Sequence, residues 1–343
     1  MARSPRAGDP AAAVTKIGDV AEAAGVSAAT VSRVLNERGN VSEELSVRVK
    51  KVAADLGYQP FGPARALRQQ LTPVWAVIIA DIENPFFTAI VRGIEDVAVT
   101  EDHRVVLCNS DEDVSKEAAY LNIVIAERMA GAVIAVASTA DSHLEPLLER
   151  NIPVVAVDRR PLRHGVDSVL VDNRLGGEQA TDHLAAAGCR RIACITGPTR
   201  LSTAGERLAG YRDAIGRLGL AADNSLVRRA DFKEKGGYLA TRALLATDER
   251  PDGLLVTNNL MTIGALRAIR EAGLDIPTDL ALVGFDDAPW TTLTQPQLTV
   301  VAQPTYEIGR QAARLLATAE AGAPARHIVL PPTLITRQST VRR

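Results

Sequence analysis

Residues 19–36 read D-V-A-E-A-A-G-V-S-A-A-T-V-S-R-V-L-N, and this run decides how the amino-terminal part of the chain is built. Ile17, Val20, Ala21 and Ala24 recur at helical spacing on one face, and Gly25 behind them is a natural left-handed terminator. Ser27 stands where it can cap a second helix running from Ala28 to about Asn36, with Val31, Val34 and Leu35 turned inward. A helix, a glycine-centred turn and a second helix at this spacing form the pattern of a helix-turn-helix. In that motif the second helix lies in the major groove of DNA, and its first residues face base edges. Ala28, Ala29, Thr30 and Arg33 hold those positions. Arg33 can present its guanidinium fork to a guanine, whereas Ala28 and Ala29 offer only apolar contact to thymine methyls. Ser27, Ser32 and Asn36 suit phosphate oxygens, which fix register without reading sequence. Taken alone, the same pattern also describes a small helical bundle with a solvated arginine.

Working outward, Ser42 is placed to cap a third helix with Glu43 and Glu44 in its first turn. Leu45, Val49, Val52, Ala53 and Leu56 form its apolar stripe, and Gly57 ends it. Residues 1–14 are Ala, Pro, Gly and Arg without periodicity, the composition of a disordered tail. Residues 15–60 therefore form one small all-helical head. The connector P-F-G-P-A-R-A-L-R-Q-Q-L-T-P from Pro60 is basic and proline-rich, and it reads as a hinge over 61–72.

From residue 73 to 343 the texture changes to short apolar runs alternating with amphipathic helices. The runs are V-W-A-V-I-I-A from Val74, R-V-V-L-C-N from Arg104, G-A-V-I-A-V-A from Gly131 and V-V-A-V-D from Val154. They continue as S-V-L-V from Ser168, R-I-A-C-I-T from Arg191, D-G-L-L-V-T from Asp252 and L-A-L-V-G from Leu280. Apolar strands joined by crossover helices imply parallel α/β sheets covered on both faces. So long a segment exceeds one open sheet, so two similar lobes are expected, with any ligand held where the carboxyl ends of the strands meet.

Bulk properties narrow the function. The formal net charge is −2, yet residues 1–71 carry ten Lys and Arg against seven Asp and Glu, so the basic share lies at the amino-terminal end of the chain. Cys108, Cys189 and Cys194 include no C-x-x-C pair, and the five histidines are scattered, so neither a disulfide framework nor a zinc site is expected. The opening M-A-R-S-P-R-A-G-D-P has no apolar segment behind it, and no later run approaches the roughly 18 apolar residues of a membrane span. A cytoplasmic location follows. No G-x-S-x-G, phosphate-binding loop or strand-borne G-x-G-x-x-G is present, so neither catalysis nor a cofactor is expected.

The head resembles that of the LacI/GalR family of repressors, and the resemblance continues through V-S-E-E from Val41, L-G-Y-Q-P from Leu56 and A-R-A-L-R from Ala64. Further strings resemble the effector core that the family shares with periplasmic sugar-binding proteins. They are D-I-E-N-P-F-F from Asp81, V-D-N from Val171, A-G-E-R-L-A-G-Y from Ala204, N-N-L-M-T-I-G-A from Asn258, V-G-F-D-D from Val283 and L-T-V-V-A-Q-P from Leu298. The resemblance implies a helix-turn-helix head on a two-lobed, type I periplasmic-binding-protein-like sensor. Its N-lobe would span about 73–171 and 304–328, and its C-lobe about 172–303 and 329–340. A homodimer on a pseudo-palindromic double-stranded DNA operator is implied, controlled by a small effector, in most relatives a sugar.

Carried over position by position, Arg65 and Leu67 match the hinge helix, whose leucine wedges into the minor groove and bends the duplex. Gly62 and Pro63 depart from the usual helix formers there, which implies a shorter hinge helix. Asp158, Arg207, Asn258 and Asp286 match polar positions turned to the effector, Gln303 lies by the crossing strands, and Phe86 and Phe232 match apolar walls. Such a set suits a polyhydroxylated ligand, whose buried hydroxyls all need partners. Five of these residues also have a plain structural alternative: an Arg207–Asp286 ion pair, helix capping by Asn258, an Asp158–Arg159 surface pair and core packing by Phe232. Two other readings of the whole chain are a sensor that answers to a protein such as a phosphocarrier, and a transport-associated sugar-binding protein.

Overall fold

A computed structural model of the chain describes residues 15–35, 41–58, 71–162, 165–220, 222–320 and 322–341. Asn36, Gly62, Pro63, Arg65 and Leu67 lie outside these residues. The chain divides into two compact units, Met1–Leu71 and Thr72–Arg343.

In the first unit three helices, α1 (Ile17–Ala24), α2 (Ala28–Leu35) and α3 (Glu43–Asp55), close around Val20, Val31, Val34 and Val49. Helix α1 ends where Gly25 adopts φ 65°, and Asp19 reaches back to accept from the Lys16 N–H at 2.7 Å, satisfying an amide left open by the first turn. Ser27 Oγ accepts from the Thr30 N–H at 3.1 Å and so caps α2. The expected cap at Ser42 is not made by its side chain, and Leu56 is 40% exposed rather than part of the stripe. Residue 56 follows the last turn of α3, where the chain leaves the face that carries Val49 and Ala53.

The second unit holds two six-stranded sheets. Its elements in chain order are β1 (Thr72–Ile79), α4 (Pro85–Thr100), β2 (Arg104–Asn109), α5 (Val114–Ala126), β3 (Met129–Ile134), α6 (Glu145–Leu148), β4 (Val154–Val157) and β5 (Asp167–Val171). There follow α7 (Asn173–Ala186), β6 (Ile192–Thr196), α8 (Ser202–Arg217), β7 (Val227–Arg229), α9 (Glu234–Leu245), β8 (Gly253–Val256), α10 (Asn259–Glu271) and β9 (Ala281–Phe285). The chain closes with β10 (Thr299–Ala302), α11 (Thr305–Ala317), β11 (His327–Leu330) and β12 (Thr333–Ile335). All eight apolar runs form strands, and β7, β10, β11 and β12 complete the sheets.

The N-lobe sheet has the order β11-β5-β4-β3-β1-β2 and the C-lobe sheet β12-β10-β9-β8-β6-β7, with only β12 antiparallel to its neighbour. In β1, Trp75, Val77 and Ile79 pack toward α4 and α11, while Ala76 and Ile78 face Leu121 and Val124 of α5. Burial on both faces is why the strand reads as a continuous apolar run. The chain passes between lobes after β5, after β10 and between β11 and β12. The last passage falls at Pro331 and Pro332, not after residue 328, because β11 pairs in parallel with β5 as far as Leu330 opposite Val171.

Three helix pairs cover the sheets at unusually close range. Gly93 and Gly309 join α4 to α11, Gly177 and Gly210 join α7 to α8, and Gly237 and Gly264 join α9 to α10. A Cβ on any of the six would come within 2.2 Å of a backbone carbonyl oxygen of the facing helix. These contacts set the positions of the helices whose first turns border the cleft.

Candidate nucleic-acid interface and ligand cleft

Helix α2 buries Val31 and Val34 and turns Ala28, Ala29 and Arg33 to the outside, with Thr30 and Ser32 half-buried beside them. Ala29 and Arg33 are four residues apart and therefore share a face. Ser27 Oγ is engaged by the Thr30 N–H and lies 2.9 Å from Thr30 Oγ1, so its first role is to hold the start of the helix. The unit thus presents a small-residue helix start followed by one exposed guanidinium, a surface able to approach base edges closely.

The cleft of the second unit lies at the carboxyl ends of the strands. Phe86, Asp158, Arg207, Phe232, Asn258, Asp286 and Gln303 all line it. Asp158 follows β4 and Asp286 follows β9, corresponding strands of the two sheets. Both adopt left-handed backbone, φ 64° and 70°, and both continue the ladder through their N–H groups, to Val169 O and Val301 O. Holding an aspartate there costs of the order of 1–3 kcal/mol, and turns its carboxyl off the strand end into the cleft.

Asp158 and Asp286 are buried, and burial raises both carboxyls above their ordinary pKa. Arg159 and Arg207 oppose this at Asp158, and Arg207 and the Gln303 hydrogen bond at Asp286. Gln303 Nε2 donates to Asp286 Oδ1 at 2.6 Å, while Gln303 Oε1 is buried without a partner in the protein. Arg207 lies over the Phe285 ring at 4.1 Å from its centroid. It donates from Nε to Asn173 Oδ1 and from Nη1 to Thr257 O, each at 2.7 Å. Burial holds its pKa below the usual guanidinium value, against the pull of Asp286 and Asp158.

The structural alternatives resolve individually. Arg207 and Asp286 share the cleft without pairing directly, since the arginine's hydrogen bonds go to Asn173 and Thr257. Asn258 does cap α10, accepting from the Met261 N–H at 2.9 Å, and lines the cleft as well. Asp158 and Arg159 are no surface pair, because both are buried: Asp158 Oδ2 lies 3.0 Å from Arg159 Nε. Phe232 serves the core of its lobe and the cleft wall at once, its ring filling the space a Cβ on Gly197 would need.

Several cleft residues escaped the sequence reading. Arg159 donates from both terminal nitrogens to the two oxygens of Glu112, each at 2.8 Å, and to Val136 O. Several contacts tie the lobes across the cleft, among them Lys233 Nζ to Asp81 Oδ2 at 2.5 Å and Asn259 Nδ2 to Asn84 Oδ1 at 2.8 Å. Thr139 Oγ1 of the N-lobe likewise accepts from the Ser202 N–H of the C-lobe at 3.1 Å. Asp81 and Asn84 stood within a quoted string, and their position just past β1 was the signal that could have found them. The space left between the lining side chains is about 30 Å³, enough for about two water molecules. A sugar ring therefore needs the lobes to part.

Among the described residues no helix is long and apolar enough to cross a membrane, and no group of three or more His, Cys, Asp and Glu is arranged to hold a metal.

Comparison with known proteins assigns the two units. Residues 16–60 match the family profile of bacterial regulatory proteins, lacI family, and residues 181–340 match that of a periplasmic binding protein-like domain. A ribose operon repressor of Halalkalibacterium halodurans is 38% identical over 303 residues, 88% of this chain and 89% of that protein. The chain belongs to the LacI family of bacterial regulatory proteins. Among solved structures, the lac repressor dimer bound to operator and the anti-inducer ONPF is similar with TM-score 0.83 and 27% identity, over 96% of this chain and 99% of that one. A complex of the transcriptional regulator CelR with cellobiose is similar with TM-score 0.72 and 32% identity, over 95% and 99%. As a LacI-family protein this chain is a DNA-binding transcriptional regulator. Its helix-turn-helix is the pair α1 and α2, and its sensor is the two-sheet unit.

Proposed function

We propose that this LacI-family regulator is a homodimeric, cytoplasmic repressor whose operator affinity is set by a monosaccharide bound between the lobes of its sensor. Ala28, Ala29, Thr30 and Arg33 read base edges, and Ser27, Ser32, Asn36, Arg65 and Leu67 position the protein on its operator. Phe86 and Phe232 stack on the faces of the sugar. Asp158, Asp286 and Gln303 accept from its hydroxyls, while Arg207 and Asn258 donate. No cofactor, metal or catalytic step takes part.

The observation that carries the sugar reading is the convergence of acceptors between two aromatic walls: two buried carboxylates and the partnerless Gln303 Oε1. Gln303 Oε1 lacks a donor, which costs about 1–3 kcal/mol, and the carboxylates, met by Arg159 and by Gln303 Nε2, have lone pairs left to accept more. A polyol brings several donors into one small volume. Relatives named ribose operon repressors favour a single ring, a pentose.

Ligand bridging Asp158 of one lobe and Asp286 of the other biases the lobes toward closure, alongside the Asp81–Lys233 and Asn84–Asn259 contacts. The coupling to operator binding is then about 1–3 kcal/mol. Calorimetric titration with pentoses, hexoses, disaccharides and nucleosides, paired with operator binding at each saturating ligand, tests the proposal. A pentose that binds and shifts operator affinity is expected. Silence across the whole panel refutes the sugar reading and favours a protein partner such as a phosphocarrier.

A further inference from the structure

The turn after β2 places a carboxylate where the other lobe places an aromatic ring. Glu112 stands three residues past the end of β2 and Phe232 three past the end of β7, corresponding edge strands, and both have left-handed backbone, φ 62° and 61°. Asp111 before Glu112 is left-handed too, with φ 53°. Two successive residues in this sparsely populated region persist only where the surroundings hold them, and here they turn the Glu112 side chain inward. Both its oxygens take the terminal nitrogens of Arg159 at 2.8 Å, with Arg159 3% and Glu112 13% exposed. Arg200 of the C-lobe approaches the same carboxylate at 3.7 Å.

The remaining cations of the lining are engaged as well. Arg207 is held by Asn173, Thr257 O and the Phe285 ring, and Lys233 by Asp81. Five carboxylates line the cleft against three cations. A phosphate or carboxylate group needs a guanidinium fork or an ammonium at hand, and beside buried Asp158 and Asp286 it meets like charge instead. The fork best placed to receive it, that of Arg159, is already filled by Glu112.

We infer that Glu112 sets the charge selectivity of the cleft: by occupying Arg159 with both oxygens it makes the site take uncharged polyhydroxyl ligands and reject phosphorylated or carboxylated ones. The identity of the uncharged ligand rests on the sugar reading above; the exclusion of anions does not. An amide at residue 112 can satisfy at most part of the fork, and it removes the charge that repels an incoming anion.

Three measurements on the full chain decide this. Calorimetry on the wild type compares D-ribose with D-ribose 5-phosphate, and the ester is expected to bind at least about 100-fold more weakly. In Glu112→Gln the ratio should narrow by about tenfold or more, and Glu112→Asp, which keeps the charge, should still disfavour the ester. Melting of each protein followed by tryptophan fluorescence, with and without inorganic phosphate, should show stabilisation of Glu112→Gln alone. A wild type that binds the ester within about threefold of the sugar overturns the inference, whether or not the variants fold. So does a folded Glu112→Gln that keeps the wild-type ratio and ignores phosphate. If no sugar binds but phosphate stabilises Glu112→Gln and not the wild type, the sugar reading falls and the role of Glu112 stands.

Discussion

Substituting alanine for Gly177 tests whether close helix approach holds the cleft in shape. Its Cβ would sit 2.2 Å from Arg207 O, 3.1 Å from Arg207 C and 3.2 Å from Tyr211 N, all backbone atoms that no rotamer change can move. Helices α7 and α8 must part by about 1 Å, in an interior packed as densely as an organic crystal. Overpacking of this kind costs about 1–3 kcal/mol, and removing a glycine from a helix returns up to about 1 kcal/mol. The net expectation is a loss of about 1–2 kcal/mol, or a fall in Tm of about 2–8 °C for a unit of this size. The same displacement carries Arg207 away from Thr257 O and Asn173, so ligand affinity should fall with stability. Gly216→Ala in the same α8 is the control: nothing lies within 4 Å of its added Cβ, and it should stabilise by about 0.5–1 kcal/mol. Both tryptophans, Trp75 and Trp290, belong to the second unit, so fluorescence melting reports this unit alone. A Gly177→Ala protein that melts at or above the wild type, while Gly216→Ala gains as expected, would refute the reasoning.

Asp286→Asn separates stability from binding. Burial raises the Asp286 carboxyl in the folded chain, so the folded state holds the proton more tightly than the unfolded one; stability is lost as pH rises from about 3.8 through the raised value. The variant should melt higher than wild type at neutral pH, with the gain shrinking on acidification, yet bind the sugar at least about tenfold more weakly. A variant whose melting difference grows toward acid contradicts that sign. On the DNA side, Arg33→Ala should weaken operator binding by about 1–3 kcal/mol, read by fluorescence anisotropy on a duplex, and affinity within twofold of wild type would remove Arg33 from base reading.

Much of this molecule was legible as periodicity. The runs from Val74 to Leu280 read as doubly buried parallel strands because apolar residues fill both faces, and each proved to be a strand, although the edge strand β2 leaves Val106 and Leu107 exposed. The turn at Gly25 and the cap at Ser27 were equally readable, because a left-handed terminator and a capping hydroxyl act within a few residues of themselves. Leu56 and Ser42 were misread for the same local reason: stripe and cap patterns do not say where a helix stops touching its neighbours. The resemblance named the seven proposed ligand residues, and the fold brings all of them to one cleft.

Glu112 and Arg159 show what lay beyond the one-dimensional pattern. Forty-seven residues apart, they look like ordinary charges at strand ends, and the sequence even allows Arg159 as a surface partner of Asp158. Their pairing depends on β2 and β4, separated by two strands of the same sheet, both ending at the cleft, on left-handed backbone at Asp111 and Glu112, and on burial that leaves the guanidinium no water to turn to. Helical and strand periods arise from backbone geometry repeated every few residues, so the sequence alone determined the elements and the two-unit division, and the resemblance of its motifs pointed to the family. Which charge neutralises which across a cleft, and how little room remains between them, is set by contacts between distant segments. Only the tertiary structure decided that.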